Sequence, residues 1–221
     1  MNSWISKTLQ IILTITPFLL IAIFWDNIPE RIPMQFGVDG TPNYYSSKLC
    51  IFLLPGFTVV TSLLLLLIPY IDPKKKADGI SADIQTFSLI FATLFTGIFI
   101  FILLALLGKL SDGFTYIPGF IVFMFMIMGN FFGKLRPNYF IGIRTPWTLE
   151  SETVWIKTHR LAGRIWVIAS FITMFSFFFS NVEFKRIWFY AYIAVIAGVP
   201  IIYSFLLFRK MKKTEMNNSA K

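Results

Sequence analysis

The stretch that decides the fold is Ile84–Gly108, IQTFSLIFATLFTGIFIFILLALLG, in which no side chain is charged. An apolar run of this length can cross the roughly 30 Å hydrocarbon core of a bilayer as a single helix. Comparable runs lie on both sides of it, over 1–25, 49–71, 114–133 and 188–208, and a further span is completed by residues 167–180. The sequence therefore predicts an all-α, polytopic integral membrane protein with six transmembrane helices.

Composition supports this class. The 221 residues are 56% hydrophobic and only 14% charged, with 26 phenylalanines, and the mean hydropathy is +0.70. These values lie far outside the range of soluble proteins. The net charge of +9 is explained by basic residues on cytoplasmic loops, rather than by nucleic-acid binding. The single cysteine, Cys50, excludes an internal disulfide.

The first apolar run is expected to stay in the protein. A signal peptide ends in small residues before its cleavage point, and the sequence IAIFWDNIPE at 21–30 offers no such pair. We therefore interpret 1–25 as a retained span, in which Pro17 can introduce a kink.

The charge distribution predicts the orientation. Fifteen of the twenty Lys and Arg residues lie at the N-terminus, in 72–83, in 134–164 and in the C-terminal tail, which six spans place on one side. Because cytoplasmic loops are enriched in Lys and Arg, we expect an N-in/C-in topology with the 26–48 connection outside. The chain then divides into 1–71, 72–133 and 134–221.

The 26–48 connection, DNIPERIPMQFGVDGTPNYYSSK, is rich in turn signals. Its prolines forbid a continuous helix, and Gly37 and the Asp39-Gly40 pair mark tight turns. The run IPMQF between them is expected to be extended. The tail after residue 208 is polar and basic, and is expected to be disordered.

The 134–166 segment, KLRPNYFIGIRTPWTLESETVWIKTHRLAGRIW, is the longest part that does not resemble a lipid-embedded helix. Asn138 follows a proline that interrupts the fourth span, and Gly142 allows a sharp bend. Thr145-Pro146 or Thr148 can begin the next helix, because a hydroxyl caps free N–H groups and proline fits the first helical position.

The next helix is expected to run directly into the fifth span. Its residues of one face recur at spacings of one, three or four: Val154, Trp155, Thr158, His159, Ala162 and Trp166. An interfacial helix with a tryptophan belt and snorkelling basic residues gives the same pattern. Before it, Gly129 and Gly133 have the spacing that lets membrane helices approach closely, and we expect a packing role for them and for Asn130.

The sequence offers few residues for catalysis or metal binding, with one histidine and one cysteine. His159 and Cys50 are predicted to lie on opposite sides of the membrane, so they cannot share a zinc ion. Glu150 and Glu152 point apart on a helix and sit where its first turn is expected. We therefore expect no enzyme, no metal and no cofactor. The predicted spans carry no ionisable group near their middle, which argues against an ion-coupled transporter.

Both polar segments resemble known bacterial membrane proteins. The segment IPERIPMQFGVDGTPNYYSSK is similar to the short N-terminal domain common in one family. The segment PNYFIGIRTPWTLESETVWIKTHRLAGRIWV resembles the C-terminal signature of that family, the SdpI family, with IGIRTPWTL and ETVW as its specific core. Both resemblances occur in the expected order, so together they cover most of the chain.

The resemblance implies a function and partners. SdpI-family proteins are immunity proteins of the plasma membrane against the secreted sporulation-delaying toxin, a membrane-active peptide. The resemblance further implies signalling, in which a small DNA-binding repressor is held at the membrane when toxin is present. Membrane lipid is the third expected partner. The alternative is a small-solute or lipid-handling membrane protein on the same scaffold.

Two sets of residues are candidates for binding. In the 134–166 segment they are Asn138, Gly142, Arg144, Thr145, Pro146, Trp147, Thr148, Glu152, Trp155, His159 and Arg160. In the 26–48 connection they are Pro29, Pro33, Gly37, Gly40 and Lys48. We also expect Arg144 to bind a carboxylate, from Glu150, Glu152 or a partner, or else a lipid phosphate, because its planar guanidinium suits bidentate acceptors.

Overall fold

The computed structural model describes residues 3–36, 42–71, 80–110, 117–179 and 182–219. Within these ranges the helices are α1 (Ser3–Phe24), α2 (Leu53–Ile71), α3 (Ile80–Leu106), α4 (Ile117–Phe132), α5 (Pro146–Glu150), α6 (Glu152–Phe179) and α7 (Val182–Ser219). Two strands, β1 (Arg31–Phe36) and β2 (Pro42–Ser47), lie between α1 and α2. Gly37 and Gly40 fall outside the described residues.

Among the described residues, five helical segments are long and apolar enough to cross a membrane: Trp4–Asn27, Lys48–Leu67, Ile84–Leu106, Glu152–Phe177 and Glu183–Asn217. A sixth apolar helix, α4, has 16 described residues, which is about 24 Å at 1.5 Å per residue. The prediction of an all-α, polytopic membrane protein is confirmed, with this described helix shorter than the other five.

The 26–48 connection contains an antiparallel hairpin, which adds a small sheet to the helical fold. Arg31 pairs with Ser47 and Phe36 with Pro42, and the register shifts on either side of Gln35. Both strands of a two-stranded sheet are edges, so Pro33, which has no N–H, fits within β1. The prediction that IPMQF is extended is confirmed.

The chain clusters into two compact units, of which the first comprises 1–69 and 84–121. Its core packs Ile32 of the hairpin with residues of the neighbouring helices; its other fully buried members are Ile21, Ile28, Ile51, Phe99 and Leu103. Gln10 Nε2 donates to Ser88 Oγ at 2.5 Å. Thr96 Oγ1 donates to the Leu13 carbonyl at 2.8 Å. Polar side chains inside the apolar helices thus join α1 to α3.

The second unit comprises 70–83 and 122–221, and its α4 and α6 meet through glycines. A Cβ atom on Gly163 would lie 2.6 Å from the Gly129 carbonyl oxygen and 3.0 Å from the Gly133 nitrogen. Only glycine permits this backbone contact. The predicted packing role of Gly129 and Gly133 is confirmed, whereas Asn130 is exposed and bonds within its own helix, to the Met126 carbonyl.

The C-terminal helix differs from the expectation. α7 continues to Ser219, so the prediction that the chain is disordered after residue 208 was wrong for residues 209–219. Most residues there are good helix formers, namely Arg, Lys, Met and Glu, and they continue a helix already nucleated by the apolar span. Pro200 lies inside α7 without ending it.

Candidate functional site

The loop between α4 and α5 is held by the side chain of Asn138, which is buried. Its Oδ1 accepts hydrogen bonds from the backbone N–H groups of Phe140 at 2.9 Å and Ile141 at 2.7 Å. Its Nδ2 donates to the Arg136 carbonyl at 2.9 Å. One amide thus bonds to three backbone groups and turns the chain after the proline, as asparagine does in turns.

The turned loop folds back onto α6 at Gly142. This residue has a φ of +122° and contacts the imidazole of His159 so closely that a Cβ would meet Nε2. The same Cβ would lie 3.1 Å from the ring of Trp155. Conformation and space therefore both require glycine at 142. The predicted bend is confirmed, and its function is to bring the loop against α6.

His159 lies on α6, and its two ring nitrogens bond to the loop and to α6 itself. Its Nε2 accepts the N–H of Ile143 at 2.9 Å. Its Nδ1 lies 2.9 Å from the Trp155 carbonyl oxygen, which can only accept, so Nδ1 carries the proton. The imidazole is therefore neutral, and both of its nitrogens are hydrogen-bonded. At 0% exposure it is inaccessible to a ligand.

Thr148 extends this network into α5. Its Oγ1 donates to the Ile143 carbonyl at 2.7 Å and accepts the N–H of Thr145 at 2.9 Å. Thr145 in turn caps α5, with Pro146 as its first helical residue. Of the two predicted alternatives, Thr145 is the cap, and Thr148 lies at the third helical position, where it completes a reciprocal capping box. The capped helix ends at Glu150 and α6 begins at Glu152, so the prediction that this helix runs directly into the fifth span was wrong. We call the set Asn138, Gly142, Thr148, Trp155 and His159 the loop clasp.

The predicted apolar face of α6 is confirmed. Val154, Trp155, Thr158, His159 and Ala162 are 0% exposed and Trp166 is 8% exposed. Trp155 Nε1 donates to the Leu135 carbonyl at 2.9 Å, and the Trp155 ring stacks on His159 with centroids 4.1 Å apart. This face is the core of the second unit, so the alternative of an exposed tryptophan belt does not hold for Trp155 or Trp166.

Sequence reasoning missed the partners of the tryptophans. Trp147 Nε1 donates to Ser204 Oγ at 2.6 Å, and Trp166 Nε1 donates to the Ile196 carbonyl at 2.9 Å. Ser204 is 0% exposed within an otherwise apolar stretch of α7. An isolated serine in such a stretch is the signal that could have pointed to it, since polar groups in membrane helices bond across helices.

The acceptor of Arg144 is not the one expected within the segment. Its Nη1 donates to the Tyr139 carbonyl at 2.7 Å. In the described part of the chain it forms no ion pair with Glu150 or Glu152. The two carboxylates are separated by the break between helices, because Glu150 ends α5 and Glu152 begins α6. Only Glu152 therefore lies in a first helical turn.

In the 26–48 connection, Lys48 is 6% exposed. Its Nζ lies 4.4 Å from the centroid of the Trp25 ring and 3.4 Å from Glu30 Oε1. Its backbone N–H donates to the Glu30 carbonyl at 2.9 Å. Lys48 thus joins the base of the hairpin to the end of α1. Pro29 is exposed beside this junction.

The structure brings together some candidates and separates others. Within the loop clasp, His159 and Thr148 both bond to the Ile143 backbone, whereas Asn138 bonds to the loop backbone and Gly142 packs against His159. Thr145 and Pro146 adjoin it at the start of α5. Arg144, Glu152 and Arg160 are exposed and outside it. Among the described residues, no group of three His, Cys, Asp or Glu side chains could hold a metal ion. The arrangement can fix a rigid surface for a partner.

Known protein families match both the N-terminal part and the C-terminal part of the chain. Residues 134–204 match a family model described as the SdpI/YfhL protein family, and residues 12–59 match one described as a domain of unknown function (DUF1648). The chain is 30% identical over 176 residues to Immunity protein SdpI of Bacillus subtilis (strain 168), covering 78% of this chain and 82% of that protein. No solved structure matches.

Each matched region contains one of the two polar structures described above, the hairpin or the loop clasp. The first contains most of α1, the hairpin and the start of α2; the second contains the loop clasp, α5, α6 and much of α7. With its membrane-length helices, the protein is a multi-pass protein of the bacterial membrane. The family predicted from the two polar segments is confirmed: the chain belongs to the SdpI/YfhL protein family.

Proposed function

We propose that this protein makes a bacterial cell resistant to a secreted, membrane-active peptide toxin. The observation that carries the proposal is the 30% identity to an immunity protein over 82% of that protein's length. The family models match residues 12–59 and 134–204, so the similarity to known families includes both polar segments and is not limited to one apolar span.

The hairpin is the surface that we propose for contact with the toxin. Met34, Tyr44 and Tyr45 are 37%, 54% and 50% exposed. Tyrosine and methionine are enriched at protein interfaces, because they combine a large apolar area with adaptability or a polar tip. The charge bias predicts that this connection faces outward, which is the side from which a secreted peptide arrives.

The test is survival of a toxin-sensitive host that expresses the chain and is exposed to purified toxin. We expect protection by the wild type and at least about tenfold weaker protection by Tyr44→Ser/Tyr45→Ser, because an anchor side chain contributes on the order of 2 kcal/mol. The matched control is Asn43→Ser, an exposed position on the same strand. Membrane levels of each variant are measured by immunoblot.

Two results would contradict the proposal. Failure of the wild type to protect, at normal membrane levels, would refute the immunity function itself. Full protection by the double tyrosine variant would leave immunity standing and exclude the hairpin as the contact surface.

We further propose that the 134–166 segment signals by holding a small DNA-binding repressor at the membrane when toxin is bound. The support is the family resemblance and the rigid presentation of Arg144, Glu152 and Lys157, which are all exposed. A fluorescently tagged repressor should move from the nucleoid to the membrane after toxin addition. Movement that is equal in cells lacking this chain would rule out the role.

A further inference from the structure

A groove of about 390 Å³ lies along the crossing of α4 and α6 in the second unit. Gly129, Gly133 and Gly163 are among its lining residues. Because glycine has no side chain, this part of the lining is backbone, and a Cβ on Gly133 would lie 3.4 Å from the Cα of Arg160. The glycines that let the helices approach thus also leave open space for the groove beside them.

One end of the groove is strongly cationic. Lys134, Arg160 and Arg164 line it, and all three are exposed. No lining residue is acidic, and within the ranges that the structure describes none of the three cations forms an ion pair. Three positive charges without a compensating carboxylate attract an anion, most strongly in a cleft with apolar walls.

The other end of the groove is apolar. It is lined by Val167 and Ile168, and Ile168 is 59% exposed. Ile168 lies eight positions after Arg160, which is about 12 Å along a helix. No charged residue follows Arg164 in α6, so Arg164 marks the boundary between the headgroup layer and the hydrocarbon, where long basic side chains extend toward water.

We infer that this groove binds an anionic phospholipid. The phosphate lies among Lys134, Arg160 and Arg164, and the first part of an acyl chain lies against Val167 and Ile168. The planar guanidinium groups suit phosphate oxygens, and basic pockets between membrane helices hold such headgroups. A free phosphate would satisfy only the cationic end, whereas a lipid matches the charge and the apolar wall together.

The experiment measures binding of phosphatidylglycerol to the purified full chain in neutral detergent micelles, by native mass spectrometry. Arg160→Gln/Arg164→Gln is compared with Lys157→Gln, which removes an exposed cation from α6 outside the groove. We expect the double variant to bind at least about tenfold more weakly, because the loss of even one charge-assisted hydrogen bond has about that effect. Lys157→Gln should bind like the wild type.

Binding measurements with a second lipid and with inorganic phosphate identify the ligand. Phosphatidylcholine should bind at least about tenfold more weakly than phosphatidylglycerol, and millimolar inorganic phosphate should not displace the bound lipid. Equal losses in the double variant and in Lys157→Gln would show general attraction to a charged surface and overturn the inference. Displacement by inorganic phosphate, or equal binding of the two lipids, would overturn it as well. Arg164→Gln alone gives the same comparison if the double variant does not purify.

Discussion

At the scale of single residues, Gly142 is a position at which the fold requires glycine. It combines a φ of +122° with direct contact to the His159 ring. We expect Gly142→Ala to destabilise the protein by about 3 kcal/mol, since backbone strain and overpacking each cost on the order of 1–3 kcal/mol. Unfolding in mixed detergent micelles, followed by tryptophan fluorescence, measures this loss.

The matched control for Gly142 is Gly198, which lies in α7, where an added Cβ meets nothing within 4 Å. Gly198→Ala should be neutral or stabilising by up to about 1 kcal/mol, because alanine is the better helix former. Equal unfolding midpoints for the two alanine variants would show that the loop clasp does not depend on Gly142.

Arg144 illustrates how an observed acceptor changes a prediction. A bidentate carboxylate partner would make lysine costly, but Arg144 donates to one backbone carbonyl and is exposed. Lysine can supply a single charged donor as well. We therefore expect Arg144→Lys to cost less than about 0.5 kcal/mol and Arg144→Ala about 1 kcal/mol in unfolding free energy. A lysine variant as unstable as the alanine variant would point to an acceptor that needs the guanidinium fork.

At the scale of secondary-structure elements, the crossing of α4 and α6 depends on Gly163. Because a Cβ there would lie 2.6 Å from the Gly129 carbonyl oxygen, the helices must separate to accept alanine. We expect Gly163→Ala to lower stability by about 1–3 kcal/mol, with Gly198→Ala again as control. Unchanged unfolding of Gly163→Ala would mean that the two helices have another packing in the membrane.

Sequence predicted those elements that a period or a local signal specifies. The buried face from Val154 to Trp166 follows from helical spacing, and the cap at Thr145 follows from the hydroxyl and the proline. The bond between His159 and the Ile143 N–H joins residues 16 positions apart, and no local pattern encodes such a pairing. The burial of Lys48 could not be predicted for the same reason, because Trp25 and Glu30 come close to it only once the hairpin folds.

At the scale of the whole molecule, each matched region combines apolar helices with one compact polar structure. The hairpin is joined to its unit by Ile32 and by the buried Lys48. The loop clasp is joined to its unit by Trp155 and His159, both fully buried. In each case the groups left exposed are presented on a fixed backbone. This arrangement is suited to recognition, since a preorganised surface loses little conformational entropy on binding.

The last prediction concerns the orientation of the chain in the membrane. The three-to-one distribution of Lys and Arg predicts that the hairpin is outside and the 134–166 segment inside. Cysteines are introduced at two exposed positions, Asn43 and Glu150, after Cys50, the single native cysteine, is replaced by serine. A membrane-impermeant maleimide should label Asn43→Cys in intact cells and Glu150→Cys only after permeabilisation. The parent Cys50→Ser protein controls for background, and labelling of both cysteines from the same side would refute the N-in/C-in topology.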